Sequence, residues 1–185
     1  LLLAWTFGGG LELLDQSLRT LTLDPVYTGI AVILSLMLIS SLLDLPFSIY
    51  STFVIEERFG FNRTTAKIFV SDLFKGMLLA LVIGTPLIWV VLWLMEKAGE
   101  LWWLYAWIFW TAFMLLMIWA YPTFIAPLFN KFEPLPDGEM KSTIEALLKR
   151  CGFRSNGLFV MDGSKRSSHG NAYFTGLGSA KRIVF

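Results

Sequence analysis

Three long apolar runs constrain the fold of this chain more than any other feature of its sequence. They cover residues 26–47, 76–95 and 101–129, and Asp44 is the one charged residue within them. A helix rises about 1.5 Å per residue, so about 20 residues cross a hydrocarbon core about 30 Å thick. Each run is therefore predicted to be a membrane-spanning helix. Buried helices of a soluble protein are the alternative interpretation.

The overall composition favours the membrane interpretation. Hydrophobic residues make up 56% of the 185 residues and charged residues 16%, whereas soluble domains carry about 25% charged residues. The net charge of +1 and the scattered basic residues do not indicate a nucleic-acid-binding surface. Cys151 is the single cysteine, so the sequence predicts no internal disulfide.

Both ends of the sequence indicate an interior piece of a longer protein. Residues 1–7 are apolar but too short to span a bilayer, and they are predicted to be part of a span. Residues 183–185 read as the middle of a strand. We expect such a piece, truncated at both ends, to aggregate or to depend on detergent when it is expressed alone.

The basic residues predict the orientation in the membrane. Three crossings place residues 8–25 and 96–100 on one side, with only Arg19 and Lys97 as basic residues. The segments on the other side, 48–75 and 130–185, hold thirteen. Because basic residues accumulate on the cytoplasmic side, the region after residue 129 is predicted to be cytoplasmic.

The segment 48–75 is predicted to contain a short helix. Asn62 is a plausible N-cap for a helix over 63–75 that carries an apolar stripe. This helix would lie at the membrane interface or lead straight into the second span, and a solvated connector is the alternative. Glu56 and Glu57 are interpreted as solvated or capping residues, because adjacent helical residues do not face each other.

Residues 130–185 have the composition of a soluble domain. FEPLPDG (132–138) is typical of a linker, and Asp137 is predicted to cap a helix of about 13 residues that stops at Gly152. A strand over 158–161, a basic loop over 162–168, and strands over 173–175 and 182–185 follow, with a Gly-rich turn around Gly176 and Gly178. The predicted fold is thus mainly α, with polytopic transmembrane helices over 1–129 followed by the beginning of a small α+β domain over 130–185.

The sequence contains no complete catalytic or metal-binding motif. A zinc site needs three or four His, Cys or carboxylate ligands, and the chain offers His169, Cys151 and scattered acids without an HExxH motif. His169 either lines a reaction site or lies in an exposed loop. Three tryptophans at i, i+4 and i+7 of the third run, Trp103, Trp107 and Trp110, are interpreted as lipid-facing or packing residues rather than a ligand cage.

Three stretches of the sequence resemble a known family. They are LPFSIYSTFVIEERFGFN (45–62), YPTFIAPLFNKFEPLPDG (121–138) and DGSKRSSHGNAYFTGLGSAKRIVF (162–185). In order and spacing the chain from residue 26 onward resembles the type I CAAX prenyl proteases, multi-span zinc metallopeptidases of the endoplasmic reticulum and of bacterial membranes. A shorter pattern within 171–176 also resembles the related stress-linked bacterial membrane metallopeptidases.

The resemblance implies an architecture and a chemistry. Members of the family have seven spans around an intramembrane chamber, and they cut prenylated CAAX-ended proteins before the last three residues. Their HExxH motif and a further glutamate ligand would lie beyond residue 185. Zinc would polarise the scissile carbonyl and a bound water while the glutamate acts as general base. No catalytic residue and no metal ligand is expected within residues 1–185, so this piece is expected to be inactive alone.

The resemblance also implies a substrate-binding role for residues 171–176. Many proteases hold a substrate as an extra strand on a sheet edge. Ala172, Tyr173 and Phe174 would present that edge, Asn171 would hydrogen-bond the peptide or its carboxylate, and His169 would form a wall. Core packing of a hairpin is the alternative for Tyr173 and Phe174.

Two other functions remain open from the sequence. One is a quality-control metallopeptidase of the stress-linked branch, which degrades membrane proteins. The other is a non-catalytic membrane scaffold descended from such an enzyme. An intact HExxH motif beyond residue 185 would favour a protease, and its absence would favour the scaffold.

Overall fold

A computed structural model describes residues 2–153, 155–176 and 181–185. The predicted Gly-rich turn lies partly outside this range, because Gly178 is not among the described residues. The chain forms two compact units, one made of residues 1–55 and 73–109, the other of residues 56–72 and 110–185. The proposed membrane boundary at residue 129 stays a prediction, because these units reflect contacts within the protein alone.

The first three helices are α1 (Leu2–Thr6), α2 (Gly10–Arg19) and α3 (Pro25–Tyr50). Asp24 caps α3 through its side chain, which accepts a hydrogen bond from the amide of Val26 at 3.4 Å, and Pro25 occupies the first turn. These two residues explain why a long helix begins at this point, since proline has no amide hydrogen that the first turn would leave unbonded. A π-helical segment, Ser51–Glu56, continues α3.

The next two long helices are each built from several segments. The first joins α4 (Ala66–Leu79), a π-helical segment and α5 (Thr85–Lys97). The second joins a 3₁₀ turn, α6 (Trp102–Ala120), a π-helical segment and α7 (Ala126–Phe129). Pro86 and Pro122 lie in or next to the π-helical segments, where a missing amide hydrogen interrupts the regular bonding.

Three helices in the described part of the chain are long and apolar enough to cross a membrane. They are Pro25–Glu56, Ala66–Lys97 and Gly99–Phe129, and each contains one of the apolar runs. The predicted polytopic arrangement is therefore confirmed. Within the first compact unit α3 packs closely on α5, and a Cβ atom on Gly29 would lie 2.9 Å from Cδ1 of Leu92. Glycine permits this approach.

The helix predicted over 63–75 begins later than expected. It starts at Ala66, and Thr65 caps it by accepting the amide hydrogen of Ile68 at 3.3 Å. The prediction that Asn62 is the N-cap is wrong, because its side chain instead accepts the amide of Thr64 at 2.7 Å and closes a turn before the helix. Of the alternatives for this helix, the structure shows the continuous lead into the second long helix.

A four-stranded sheet follows the third long helix. Its strands are β1 (Phe132–Pro134), β2 (Leu158–Met161), β3 (Tyr173–Thr175) and β4 (Arg182–Val184), in the order β1-β2-β4-β3. β2 and β4 are parallel, and the outer strands β1 and β3 are antiparallel to their neighbours. Val184 in a central strand is fully buried. The last three strands were predicted, but β1 lies in the segment that was interpreted as a linker.

Helix α8 (Glu139–Arg150) stands between β1 and β2 in the chain. The prediction that Asp137 caps it is wrong, because Gly138 occupies the cap position and Asp137 forms an ion pair with Lys141 at 2.7 Å. The predicted stop at Gly152 is confirmed. Gly152 has a φ of +63°, and the amide of Phe153 bonds back to the carbonyl of Leu148, as in helices that end on a left-handed glycine.

Candidate functional site

The three stretches that resemble one family meet around a single loop of the second compact unit. This loop, residues 162–168, is called the Arg166 loop below, and it contains a 3₁₀ turn at Gly163–Lys165. It contacts residues 60–62 of the first stretch, the adjoining residues 63 and 64, and residues 129–131 of the second stretch. Stretches that are far apart in the sequence therefore build one site.

The guanidinium of Arg166 forms the centre of these contacts. Its Nε and Nη2 atoms donate to the two carboxylate oxygens of Asp72, at 2.6 and 2.9 Å. Nη2 also donates to the carbonyl of Phe129 at 2.8 Å, and Nη1 donates to the side-chain oxygen of Asn130. Both side chains of the ion pair are only 25% exposed. Arg166 thus binds helix α4 and the end of α7 at the same time.

The backbone of the Arg166 loop runs beside residues 60–64. The carbonyl of Arg166 accepts the amide of Arg63 and the hydroxyl of Thr64, both at 3.0 Å. The amide of Ser168 donates to the carbonyl of Phe61, also at 3.0 Å. These bonds hold the loop along its length and not only at one side chain.

Asp162 fixes the start of the loop. Its carboxylate accepts the amide of Lys131 at 2.8 Å and the ammonium of Lys165 at 2.7 Å, while its own amide donates to the carbonyl of Lys131. Partial burial opposes ionisation of this carboxyl, but the bonds to Lys165 and Lys131 and the charge of Arg166 outweigh it. The net pKa of Asp162 lies below its usual value.

His169 lies directly after the loop and is exposed. Its ring stacks on the ring of Phe61 with centroids 4.0 Å apart and a tilt of 31°, and its amide donates to the hydroxyl of Ser167. His169 is thus an exposed loop residue held in place by an aromatic neighbour, and its place at a reaction site stays a prediction.

The strand β3 forms one edge of the sheet. It pairs with β4 on one side, and among the described residues no strand pairs with its other side. Tyr173 is 38% exposed and Phe174 67% exposed. Phe174 makes an edge-to-face contact with Phe153 at 5.9 Å, and the hydroxyl of Tyr173 lies 3.8 Å from the sulfur of Met161. Burial raises the pKa of this hydroxyl.

Asn171 and Ala172 precede this strand and are both exposed. The side-chain oxygen of Asn171 accepts the amide of Ala172 at 2.8 Å. The amide nitrogen of the same side chain has no partner among the described residues, so it can donate to a carbonyl or carboxylate placed beside it. The structure thus brings all five candidate residues, His169 and 171–174, into one exposed segment.

No set of three or more His, Cys, Asp or Glu side chains in residues 2–153, 155–176 and 181–185 is arranged to hold a metal ion. The donor chemistry of the described site does not fit a metal centre. Arg166 and Asp72 were missed by the sequence reasoning. The available signal was Asp72, the single acidic residue between Glu57 and Glu96, which lies four residues before an apolar run, where a carboxylate is usually paired.

Comparison with known proteins finds two family models that together cover nearly the whole chain. Residues 1–131 match the family model described as CAAX prenyl protease N-terminal, five membrane helices. Residues 134–185 match the model described as Peptidase family M48. The two matches divide the chain where the long helices give way to the sheet.

Individual proteins support the same grouping. A CAAX prenyl protease 1 homolog of Arabidopsis thaliana is 44% identical over 90% of this chain and 40% of its own length. CAAX prenyl protease 1 of Saccharomyces cerevisiae is 48% identical over 79% of this chain and 32% of its own. The crystal structure of S. mikatae Ste24p superposes with a TM-score of 0.82 at 45% identity, covering 88% of this chain and 38% of that one. The chain thus spans about two fifths of these relatives or less.

Proposed function

The chain belongs to the CAAX prenyl protease family, and from this premise we propose that it is part of an integral-membrane zinc metalloendopeptidase. The full-length enzyme removes the last three residues of prenylated CAAX proteins. The long helices of this chain contribute to the wall of an intramembrane chamber, and residues 171–174 hold the substrate. A multi-pass membrane protein is already shown by the family match and the three long helices.

The metal belongs to the part of the enzyme outside this chain. The match to a metallopeptidase family implies a metal cofactor. We assign zinc to it and place its ligands outside the described residues, which do not bring together a suitable set. What these residues contribute is substrate binding.

The free side of β3 carries the proposal. An edge strand presents a row of backbone N–H and C=O groups, and an extended peptide can bond to them as one more strand. Such bonds recognise any sequence, which suits an enzyme whose clients share little beyond their last residues. The exposure of residues 171–174 leaves this edge accessible.

Side chains next to the edge then orient the peptide. The side-chain oxygen of Asn171 is held by Ala172, so its amide nitrogen points a donor at a substrate carbonyl or carboxylate. His169, stacked on Phe61, forms a wall at one end of the edge. Tyr173 and Phe174 contribute apolar surface on either side of the strand.

The orientation in the membrane is part of the same proposal. The unequal distribution of basic residues places the sheet and the Arg166 loop on the cytoplasmic side of the endoplasmic reticulum or of a bacterial inner membrane. A prenylated protein in the cytoplasm would then reach the edge from the same side.

Replacing Asn171 tests this function in the full-length enzyme. We expect Asn171→Ala to raise KM or to lower kcat for a farnesylated CAAX peptide by about tenfold, the cost of losing one hydrogen bond to substrate. Metal content should not change, because no ligand is touched. Purified protein in detergent, cleavage of the peptide and metal analysis are the measurements.

Asn156→Ala is the matched control, because Asn156 is also an exposed asparagine but lies in a turn before β2. It should leave the kinetics unchanged. Peptides N-methylated at single positions form a second arm, and loss of cleavage at alternate positions is expected for a peptide bound as a strand. Unchanged kinetics in Asn171→Ala would refute the assigned role. Degradation of a misfolded membrane protein without cleavage of the CAAX peptide would instead indicate the quality-control activity.

A further inference from the structure

Arg166 binds more groups than an ordinary ion pair requires. Its guanidinium reaches both oxygens of Asp72, the carbonyl of Phe129 and the side chain of Asn130. These acceptors lie on two different helical elements, α4 and the end of α7. A planar guanidinium with fixed donor directions can bond to all of these acceptors together, whereas the donors of a lysine ammonium are all on one nitrogen atom.

The same residue is bonded through its backbone to a third segment. Its carbonyl accepts from Arg63 and Thr64, so side chain and main chain fix the loop from different directions. The next residues continue the attachment, since Ser168 bonds to Phe61 and His169 stacks on the same ring. Only Gly170, Asn171 and Ala172 then separate this anchored segment from β3.

From this arrangement we propose that Arg166 and Asp72 form a positioning pair that holds the substrate-binding edge β3 in place. The inference rests on the proposed function of that edge. Neither residue touches the substrate. They act through the Arg166 loop, whose end leads directly into Asn171 and β3.

Precise placement of the edge is what the reaction needs. A peptide bonded to β3 moves with it, and a displacement of about 1 Å from the reactive geometry can lower a rate by about a hundredfold. Removing one partner of a partly buried pair also leaves the other charge without compensation. The pair therefore sets the position of the edge more strictly than the short strand alone could.

Arg166→Lys in the full-length enzyme is the main test. It keeps the charge but cannot bond to Asp72, Phe129 and Asn130 at once. We expect kcat/KM for a farnesylated CAAX peptide to fall about tenfold or more, with unchanged metal content and a nearly unchanged unfolding temperature. Combining it with Asp72→Asn should add little further loss, because the two residues act as one unit.

A second measurement is independent of substrate. Hydrogen exchange of the Ser168 amide, bonded to Phe61, and of the Arg63 amide, bonded to Arg166, should become faster in Arg166→Lys. If the full-length protein cleaves no CAAX peptide, the proposed function fails, and this exchange still reports whether the pair holds the loop.

Arg19→Lys is the matched control, because Arg19 pairs with Asp15 at 2.7 Å but is 69% exposed. It should change neither kinetics nor exchange. If Arg166→Lys unfolds the protein, Asn130→Ala removes a single acceptor and should give the same pattern with a smaller loss. A lowered unfolding temperature with normal kcat/KM and normal exchange at Ser168 would overturn the positioning role.

Discussion

The long helices and the small sheet use apolar side chains in opposite ways. In the helices, large apolar residues such as Trp107 and Leu115 are 63% and 56% exposed. In the sheet, Val184 is fully buried and Leu158 is 5% exposed. Exposed apolar surface of this extent is costly in water and favourable against lipid. This difference is what we expect if the long helices face lipid and the sheet faces water.

The backbone differs between the same two regions. A helix satisfies its hydrogen bonds internally, so it can cross a membrane without a partner. A sheet leaves bonding groups free at its outer strands, and β3 is such a strand in this protein. The region that we propose to bind peptide is therefore the one whose backbone can still form hydrogen bonds.

Lysine substitution at two equally exposed leucines gives the largest expected effect. Leu115 in α6 and Leu147 in α8 are both 56% exposed. Leu115→Lys should cost about 3 kcal/mol of membrane insertion, because a charge at the centre of a span must leave water. Leu147→Lys should cost nearly nothing, since α8 is predicted to face water.

Insertion can be measured by glycosylation mapping in microsomes and by the yield of monodisperse protein in detergent. Equal losses of insertion for Leu115→Lys and Leu147→Lys would contradict the contrast between the two regions, because they would place α6 and α8 in the same environment.

Truncation in the sheet gives the next largest effect. Val184→Ala removes two buried methyl groups from a central strand, and it should lower the free energy of unfolding by about 2 kcal/mol. Val160→Ala in β2 is the control, because Val160 is 39% exposed. Hydrogen exchange of the strand amides in the full-length protein reports the change. Similar losses of unfolding free energy in Val184→Ala and Val160→Ala would contradict a core centred on β4.

The smallest expected effect concerns the stability of the sheet region at acidic pH. The lowered pKa of Asp162 means that its contribution to stability is complete above the unfolded pKa of about 3.9, and is lost as the pH falls through the lower folded value. Asp162→Asn should lower stability at pH 7 by less than about 1 kcal/mol, because the pair with Lys165 is partly exposed. It should also reduce the dependence on pH below about 4.

Thermal unfolding in detergent at a series of pH values is the measurement. Asp137→Asn is the control, since Asp137 pairs with Lys141 but is 95% exposed, and added salt should screen its effect. An unchanged acid dependence in Asp162→Asn would contradict the assigned pKa.

The long helices could be predicted from sequence because their length and lack of charge have a single physical explanation. The residues at which these helices begin and end were harder to predict. The first helix continues beyond the apolar run 26–47 to Glu56, because helical bonding does not end where apolar residues end. The family resemblance supplied the proposed function, which the residues alone did not indicate.

The sheet shows where local patterns stop being informative. Three strands were visible as short β-rich runs, but β1 lies among prolines and forms by pairing with β2. Pro134 is tolerated there because β1 is an outer strand. The role of Arg166 was also hidden, since a basic loop gives no sign of a partner 94 residues away.

That separation of 94 residues also governs the order of events during synthesis. At about 5 to 20 residues per second, the ribosome adds Arg166 roughly 5 to 20 seconds after Asp72. The third long helix is made within this interval. The carboxylate of Asp72 therefore cannot bond to Arg166 until the third long helix has been made, and the proposed peptide-binding edge is among the last parts of this chain to be synthesised.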